Sequence, residues 1–249
     1  MQKDYLRSIL ERDRVWSAYA LADLEPGFYE DCNWYVAKQS LVLIYHGLRP
    51  AVLFACGDPQ ILAGLYNQIP IGRYAFSLKQ DALQALEPWA QIEGKTHMER
   101  MLLMPERFPT GLGEGAIRLK ATDLHSVETL FAQQPDQPDA FSAYQFQNGV
   151  FYGAKKGGIL VAVAGTHVFS NSTSIAGVGN IFTHPAHRRQ GWAQAATAAL
   201  VQALLALGIE TIVLNVALKN HAARNLYQKL GFVPACKFYE GLANRRERT

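Results

Sequence analysis

Two arginines, a glycine and the start of an apolar helix lie close together near position 190. The segment Ile181–Gln194 reads I-F-T-H-P-A-H-R-R-Q-G-W-A-Q. Its first residues are β-branched or aromatic and predict a strand, which Pro185 ends. From Ala193 to Leu207, small and apolar residues recur every three or four positions, which predicts a helix. The segment is therefore a strand, a basic turn and a helix.

The turn is suited to binding an anion such as a phosphate. The first N–H groups of a helix have no partner within it, and the helix dipole leaves positive potential there. Arg188 and Arg189 add charge, and Gly191 removes a side chain that would block the approach of a pyrophosphate. A basic helix start without any ligand is the alternative, because short loops of this kind also occur by chance.

A second motif downstream strengthens the interpretation. Arg188-x-x-Gly191-x-Ala193 resembles the Arg/Gln-x-x-Gly-x-Gly/Ala motif of the GNAT superfamily of acyl-CoA-dependent N-acyltransferases. The run from Asn220 to Phe232, N-H-A-A-R-N-L-Y-Q-K-L-G-F, resembles the second signature of that family, in the expected order and at the expected distance. The resemblance covers about Ala116 to Glu240, close to half of the chain.

The resemblance implies a binding site for acetyl-CoA, or another short acyl-CoA, as co-substrate. In the family, the strand end hydrogen-bonds the pantetheine arm through its backbone, the turn binds the pyrophosphate, and an asparagine at the next helix start contacts the cofactor. The cofactor-binding residues predicted on this basis are Ile181, Phe182, Thr183, Arg188, Arg189, Gln190, Gly191, Trp192, Ala193, Gln194 and Asn220. Asn220 could equally serve only as a helix N-cap.

Tyr227 is the predicted catalytic residue. It matches the family's tyrosine, which donates a hydrogen bond or a proton to the departing thiolate. Thioester aminolysis needs a way to accept charge on the departing thiolate. A thiol of pKa about 8.5 is a tolerable leaving group, and a tyrosine hydroxyl near the sulfur can donate a hydrogen bond or a proton to it. Composition alone would instead favour a buried aromatic residue on a helix.

The general base is not identified by the sequence. Many relatives place a glutamate five residues before the asparagine, but Asn215 stands there and cannot accept the proton of the amine. His167 and His184 are candidates because histidine is the side chain that ordinarily titrates near neutral pH, although packing or surface roles are more common for such residues. His187 and His221 lie beside the cofactor motifs and could contact phosphates, although exposure to solvent is the simpler expectation.

The cysteines argue against a covalent intermediate. Cys56 and Cys236 have no histidine partner at a motif spacing, so direct transfer in a ternary complex is expected. Together with Cys32 they form no disulfide framework and no metal-binding pattern, so no metal is expected and a reducing compartment is favoured.

Composition narrows the partners. The 249 residues are 49% hydrophobic and 18% charged, which predicts a packed core. A net charge of +3 is too small to imply a nucleic-acid partner, and the basic run 244–248 predicts a solvated tail. No apolar leader or membrane-length segment is evident, so we expect a cytoplasmic protein without a membrane partner, as a monomer or homodimer.

The order of the elements predicts an α/β fold with two domains. Residues 1–112 alternate helices and strands without a catalytic constellation and form an N-terminal α/β domain, interpreted as a degenerate companion unit. A linker at Pro109–Gly115 leads into the GNAT domain, residues 113–249, with a mixed, mostly antiparallel central sheet flanked by helices. Gly177 and Gly179 predict a bulge or close ligand approach in its third long strand.

The predicted activity is transfer of an acetyl or other short acyl group to a primary amine. The acceptor could be a small molecule, an amino acid or a peptide N-terminus. A polycationic acceptor would need clustered carboxylates, for which Asp123, Asp136 and Asp139 are weak support. The alternative is a non-catalytic acyl-CoA-binding or sensing module, which the amide at Asn215 favours.

Overall fold

A computed structural model of the chain describes residues 2–133 and 141–246. The helices of the described residues are α1 (Gln2–Leu10), α2 (Ala18–Ala22), α3 (Pro59–Tyr66), α4 (Gln80–Leu86), α5 (Leu124–Phe131), α6 (Ala143–Asn148), α7 (Trp192–Ala206) and α8 (His221–Lys229). The strands are β1 (Cys32–Ala37), β2 (Ser40–Tyr45), β3 (Ala51–Cys56), β4 (Gly72–Leu78), β5 (Ala90–Leu103), β6 (Ala116–Arg118), β7 (Phe151–Lys156), β8 (Ile159–Ser170), β9 (Ile175–Thr183), β10 (Thr211–Ala217) and β11 (Phe232–Arg245). The element order agrees with the predicted alternation of strands and helices.

The described residues form two compact units. The first contains those within 1–100, 216–220 and 235–249, and the second contains those within 101–215 and 221–234. Strands β5, β10 and β11 therefore each contribute residues to both units. The predicted division into functional domains at 112/113 stays a prediction.

In the first unit the strand order is β1-β2-β3-β4-β11. Strands β1, β2 and β3 are antiparallel neighbours, and α3 connects β3 to β4, which runs parallel to it. The apolar sides of α3 and α4 complete a core with the sheet, in which Leu62, Tyr66, Phe76 and Leu83 are buried. The first unit therefore has an apolar core of its own.

In the second unit the order is β10-β9-β8-β7-β6. Strands β6 to β9 are antiparallel neighbours, and α7 connects β9 to β10, which runs parallel to it. Helix α7 packs on β7, β8 and β9. Both units thus contain antiparallel strands followed by a crossover helix and a parallel strand, which agrees with the interpretation of the first as a companion unit. The predicted fold class is confirmed.

The basic C-terminal run is not simply a solvated tail. Asn244 and Arg245 belong to β11, and Arg245 is only 5% exposed. Its guanidinium donates hydrogen bonds to the carbonyl oxygens of Tyr66 and Asn67 at the end of α3. The prediction of a solvated tail was wrong for these two residues, which belong to β11. The Arg245 guanidinium can be buried because backbone carbonyl oxygens accept the hydrogen bonds that water would otherwise accept. Residues 247 and 248 lie outside the described residues.

No helix among the residues that the structure describes is long and apolar enough to cross a membrane.

Asp23 gives the first unit a predicted pH dependence. Its side chain is 8% exposed, and burial raises its pKa to about 7, above the 3.8 of an exposed carboxyl group. The folded state therefore favours the neutral carboxyl group. The contribution of Asp23 to the free energy of unfolding is complete below pH 3.8 and is lost as the pH rises through 7. We expect Asp23→Asn to raise the thermal midpoint at pH 8 relative to wild type and to change it much less at pH 4. Asp81→Asn, at an exposed position on α4, is the control; an equal shift at both pH values would contradict the prediction.

Candidate active site

The predicted anion-binding turn adopts a backbone that few sequences tolerate. Arg189 has φ of +62° and Gly191 has φ of +86°, both in the left-handed region. Gly191 is the N-cap of α7, and no side chain caps this helix. A Cβ atom at Gly191 would meet no atom within 4 Å, so the turn requires glycine for its φ and leaves open space beside it.

The turn presents a row of free hydrogen-bond donors. The first helical bond runs from the N–H of Ala195 to the carbonyl of Gly191 at 2.9 Å. Within residues 2–133 and 141–246, nothing accepts a hydrogen bond from the six backbone N–H groups of Arg189 to Gln194. Six consecutive unpaired N–H groups at a helix N-terminus form a site that favours a bound anion.

Side chains around the turn are held at the strand end. The Arg188 Nε donates to the carbonyl of Thr183 at 3.2 Å, and its guanidinium lies over the Phe182 ring at 6.0 Å. Gln190 donates through Nε2 to Ala186 and accepts from the Trp192 indole, each at 3.3 Å. Arg188 and Arg189 are both exposed, so their charge faces solvent and any ligand there.

Two buried polar atoms beside the turn lack partners. The Thr183 Oγ1 and the His187 Nδ1 are shielded from solvent, and neither forms a hydrogen bond with any residue in the described part of the chain. Such atoms are uncommon in folded proteins and often mark the position of a ligand or water. Together with the free N–H groups, they fit a polar ligand that carries an anionic group.

An open groove of about 210 Å³ adjoins the turn. One side is formed by Gly191, Gln194 and Ala195, and the other by residues 111–114. The predicted linker is thus packed on α7: a Cβ at Gly113 would lie 3.0 Å from the backbone N of Ala199. The groove is smaller than a typical pocket for a whole ligand, so it suits one part of a larger molecule.

Strands β9 and β10 are paired over only part of the length of β9. They pair in parallel from Thr211 opposite Ile175 to Leu214 opposite Val178. The last five residues of β9, which include Ile181, Phe182 and Thr183, continue without a β10 partner among the described residues. This backbone edge is the one predicted to bind the pantetheine arm. Phe182 is buried and contacts Phe131 at 5.8 Å between ring centroids, whereas Ile181 and Thr183 are half-buried.

The predicted bulge in β9 is confirmed. Gly165 of β8 pairs with Gly179, but Val163 pairs with Phe182, so β9 has one extra residue between them. Asn180 lies in this bulge with φ of +49°.

Tyr227, the predicted catalytic residue, lies on α8 and is buried. Its side chain is 8% exposed and packs against Phe232 with ring centroids 6.2 Å apart. Burial raises the pKa of Tyr227 to about 12, so the hydroxyl keeps its proton at neutral pH. Among the described residues none shares a hydrogen bond with it. Asn220 is the exposed residue immediately before α8.

Other polar residues considered in the sequence analysis are His184, Asn215 and His221. The His184 Nδ1 accepts from the N–H of Ala186 at 3.2 Å, which caps the short 3-10 helix Pro185–His187. Asn215 is half-buried in β10, and His221 is exposed at the start of α8.

Asp123 is the one candidate carboxylate for a polycationic acceptor that lies within the described residues, and it already has partners. Asp123 forms an ion pair with Lys155 at 3.5 Å and accepts from the N–H of Lys120 at 3.0 Å. Asp136 and Asp139 lie outside the described residues. Within the described residues, no group of three histidine, cysteine, aspartate or glutamate side chains could hold a metal ion.

Sequence reasoning missed a residue pair at the bulge. The His167 Nε2 accepts a hydrogen bond from the N–H of Asn180 at 3.1 Å. Burial lowers the pKa of His167 to about 4, so this imidazole is neutral and is a structural acceptor. The sequence named His167 as a candidate base, which its lowered pKa contradicts, and Gly177 and Gly179 marked the strand as irregular without indicating its partner.

In the first unit, the corresponding helix start is capped by the side chain of Asp58. There Gly57 and Asp58 lie between β3 and α3, and Pro59 is the first residue of α3. The Asp58 carboxylate accepts from the N–H of Gln60 at 2.8 Å and of Ile61 at 3.4 Å. Pro59 has no N–H to offer, so this helix start has no free row of donors.

Comparison with known proteins identifies the family of the C-terminal half. Residues 119–232 match the acetyltransferase (GNAT) family, so the C-terminal half carries a GNAT acetyltransferase domain and the predicted resemblance is confirmed. No curated protein sequence matches the chain.

Solved structures resemble both units. A GNAT-family protein from Novosphingobium aromaticivorans is 20% identical, with a TM-score of 0.64 over 94% of this chain and 97% of that one. A GCN5-related N-acetyltransferase from Kribbella flavida is 17% identical, with a TM-score of 0.65 over 94% and 95%. A GNAT-family acetyltransferase from Colwellia psychrerythraea is 13% identical, with a TM-score of 0.59 over 94% and 90%. At these identities the likeness shows a shared fold, which includes the N-terminal unit.

Proposed function

We propose that this protein is an acyl-CoA-dependent N-acyltransferase. It transfers an acetyl or other short acyl group to a primary amine, by direct transfer in a ternary complex. The acceptor is an amine on a small molecule or a peptide. The three free, half-buried cysteines suit a reducing compartment, so we place the activity in the cytoplasm.

The observation that carries this proposal is the row of unpaired N–H groups from Arg189 to Gln194. It supports a pyrophosphate position at the N-terminus of α7, where Arg188 and Arg189 add positive charge. The open edge of β9 supports the pantetheine position beside it. Asn220 is proposed as a further cofactor contact.

Acyl-CoA supplies a thioester carbonyl and a thiolate leaving group. The amine nitrogen bonds to the carbonyl carbon, the carbon–sulfur bond breaks, and its electron pair leaves on sulfur. Because the pKa of Tyr227 is about 12 and that of such a thiol is about 8.5, full proton transfer from the phenol to the thiolate is unfavourable. Tyr227 therefore donates a hydrogen bond that stabilises the developing charge, and the amine loses its proton to solvent.

A non-catalytic acyl-CoA sensor is the second candidate. The observation that favours it is the amide at Asn215, where many relatives carry a glutamate base. The free hydroxyl of Tyr227 favours the enzyme instead, because a binding module has no need of a donor at the sulfur.

Thiol release separates the two candidates. Acetyl-CoA is incubated with the protein and a panel of primary amines: small amines, amino acids and peptides with free N-termini. We expect amine-dependent release of free thiol, detected with a chromogenic disulfide reagent. Binding of acetyl-CoA without release for any amine would favour the sensor.

We expect one acetyl-CoA per chain. The turn before α7 in the second unit has free N–H groups. In the first unit, the Asp58 carboxylate already accepts hydrogen bonds from the N–H groups at the start of α3. Calorimetric titration should therefore give a stoichiometry near one, and Asp58→Asn should leave the affinity unchanged because asparagine also caps helices well. Two sites per chain, or a large loss of affinity in Asp58→Asn, would contradict this prediction.

A further inference from the structure

Two bulges face each other in the β8–β9 ladder. In β9, two residues, Asn180 and Ile181, lie opposite the single residue Ala164 of β8, so β9 contains one extra residue here. One step along, Thr166 pairs with Val178 while Val168 pairs with Gly177, so His167 is the extra residue of β8. The two irregularities are thus adjacent and involve opposite strands.

The side chain of one bulge satisfies the backbone of the other. The His167 Nε2 accepts the N–H of Asn180 at 3.1 Å. Since Nε2 is the acceptor, the ring proton of the neutral imidazole is on Nδ1. The pKa of His167, lowered to about 4 by burial, keeps the Nε2 lone pair available at neutral pH.

The imidazole has a confined position. A Cβ atom at Gly179 would overlap its ring, so only glycine at this position leaves room for it. Asn180 is 3% exposed, and its Nδ2 also donates to the Gln145 Oε1 of α6 at 3.4 Å. Gln145 is in turn held by the capping box that it forms with Ser142. The bulge is therefore tied to β8 and to α6.

The bulge determines how the rest of β9 is oriented. An extra residue reverses the alternation of side chains and of backbone groups that follow it. Downstream of Asn180, Phe182 enters the apolar cluster with Phe131, and the backbone of residues 181–183 forms the open edge of the site. A strand without the bulge would direct these groups differently.

We propose that His167 is a positioning residue for acyl-CoA binding. By accepting the Asn180 N–H it holds the bulge, and the bulge orients the backbone of Ile181 to Thr183 toward the acyl-CoA. This inference rests on the proposed function and adds a residue outside the sequence motifs to the site.

Two substitutions of His167 test whether the acceptor at the position of Nε2 is required for acetyl-CoA binding. Glutamine places its side-chain oxygen about as far from the backbone as Nε2, whereas asparagine places its oxygen near the position of Nδ1. We expect His167→Gln to bind acetyl-CoA within about threefold of wild type and His167→Asn to bind about tenfold to a hundredfold more weakly, the effect of leaving a buried N–H unpaired. Affinity is measured by calorimetry and folding by thermal circular dichroism.

A measurement on the unmodified protein covers the case in which the variants fold poorly. The amide resonances of Asn180 and Ile181 in a nitrogen-15 spectrum should move when acetyl-CoA is added. Equal affinities of the folded Gln and Asn variants, or unmoved resonances at saturating acetyl-CoA, would overturn the positioning role. If wild-type protein binds no acetyl-CoA, the proposed function itself fails, and the positioning role with it.

Discussion

Gly191→Glu is expected to abolish acetyl-CoA binding. The substitution forces a non-glycine residue to φ of +86° and places a carboxylate in the open space beside six unpaired N–H groups. Two like charges about 4 Å apart repel by about 4 kcal/mol near a protein surface, and the new carboxylate also competes for the N–H groups. Affinity should therefore fall by about a hundredfold or more, measured by calorimetric titration.

Gly208→Glu is the matched control. Gly208 follows the same helix at its other end, has φ of +77°, and a Cβ there would also meet no atom within 4 Å. The two variants share the strain of a positive φ and the added charge, but only Gly191 is at the proposed phosphate site. If both lose affinity equally, the effect comes from destabilisation of α7, and the pyrophosphate position is wrong.

Tyr227→Phe is expected to reduce turnover by about a hundredfold or more while acetyl-CoA affinity changes by less than about threefold. Phenylalanine keeps the ring that packs on Phe232 and removes only the hydroxyl, which has no hydrogen-bond partner among the described residues and whose pKa is raised by burial alone. The lost interaction forms chiefly as charge develops on sulfur, so it affects kcat more than binding. Steady-state thiol release and calorimetry measure the two quantities separately.

Tyr152→Phe controls for a general effect of losing a phenol. Tyr152 is half-buried in β7 of the same unit and lies near Arg118, outside the proposed site. It should keep wild-type turnover. Because the pKa of Tyr227 is about 12, wild-type turnover should also show no loss from tyrosine ionisation up to about pH 10. Unchanged kcat in Tyr227→Phe would remove the hydroxyl from the mechanism.

The features that depend on neighbouring residues were predictable from the sequence. The strand, turn and helix around Gly191 follow from β-branched residues, a glycine and a helical repeat within about thirty positions. The family resemblance rests on the same local motifs. Local sequence was therefore sufficient to predict the fold class and the resemblance to the GNAT family, which the family match over residues 119–232 confirms.

The features that depend on remote contacts were decided by the tertiary structure. The His167–Asn180 bond needs the register of β8 against β9, and no local pattern specifies which side chain meets a bulge. Likewise, the groove joins residues 111–114 to the start of α7, although the sequence of the former predicted only a linker.

Arg245 illustrates the same limit. A basic chain end predicts a solvated tail, but strand pairing with β4 brings this guanidinium to the carbonyl oxygens at the end of α3. Local sequence specifies which elements form and where a helix start can bind an anion. Packing alone decides which distant groups meet, because burial of a polar or charged group is favourable only when a partner is in place.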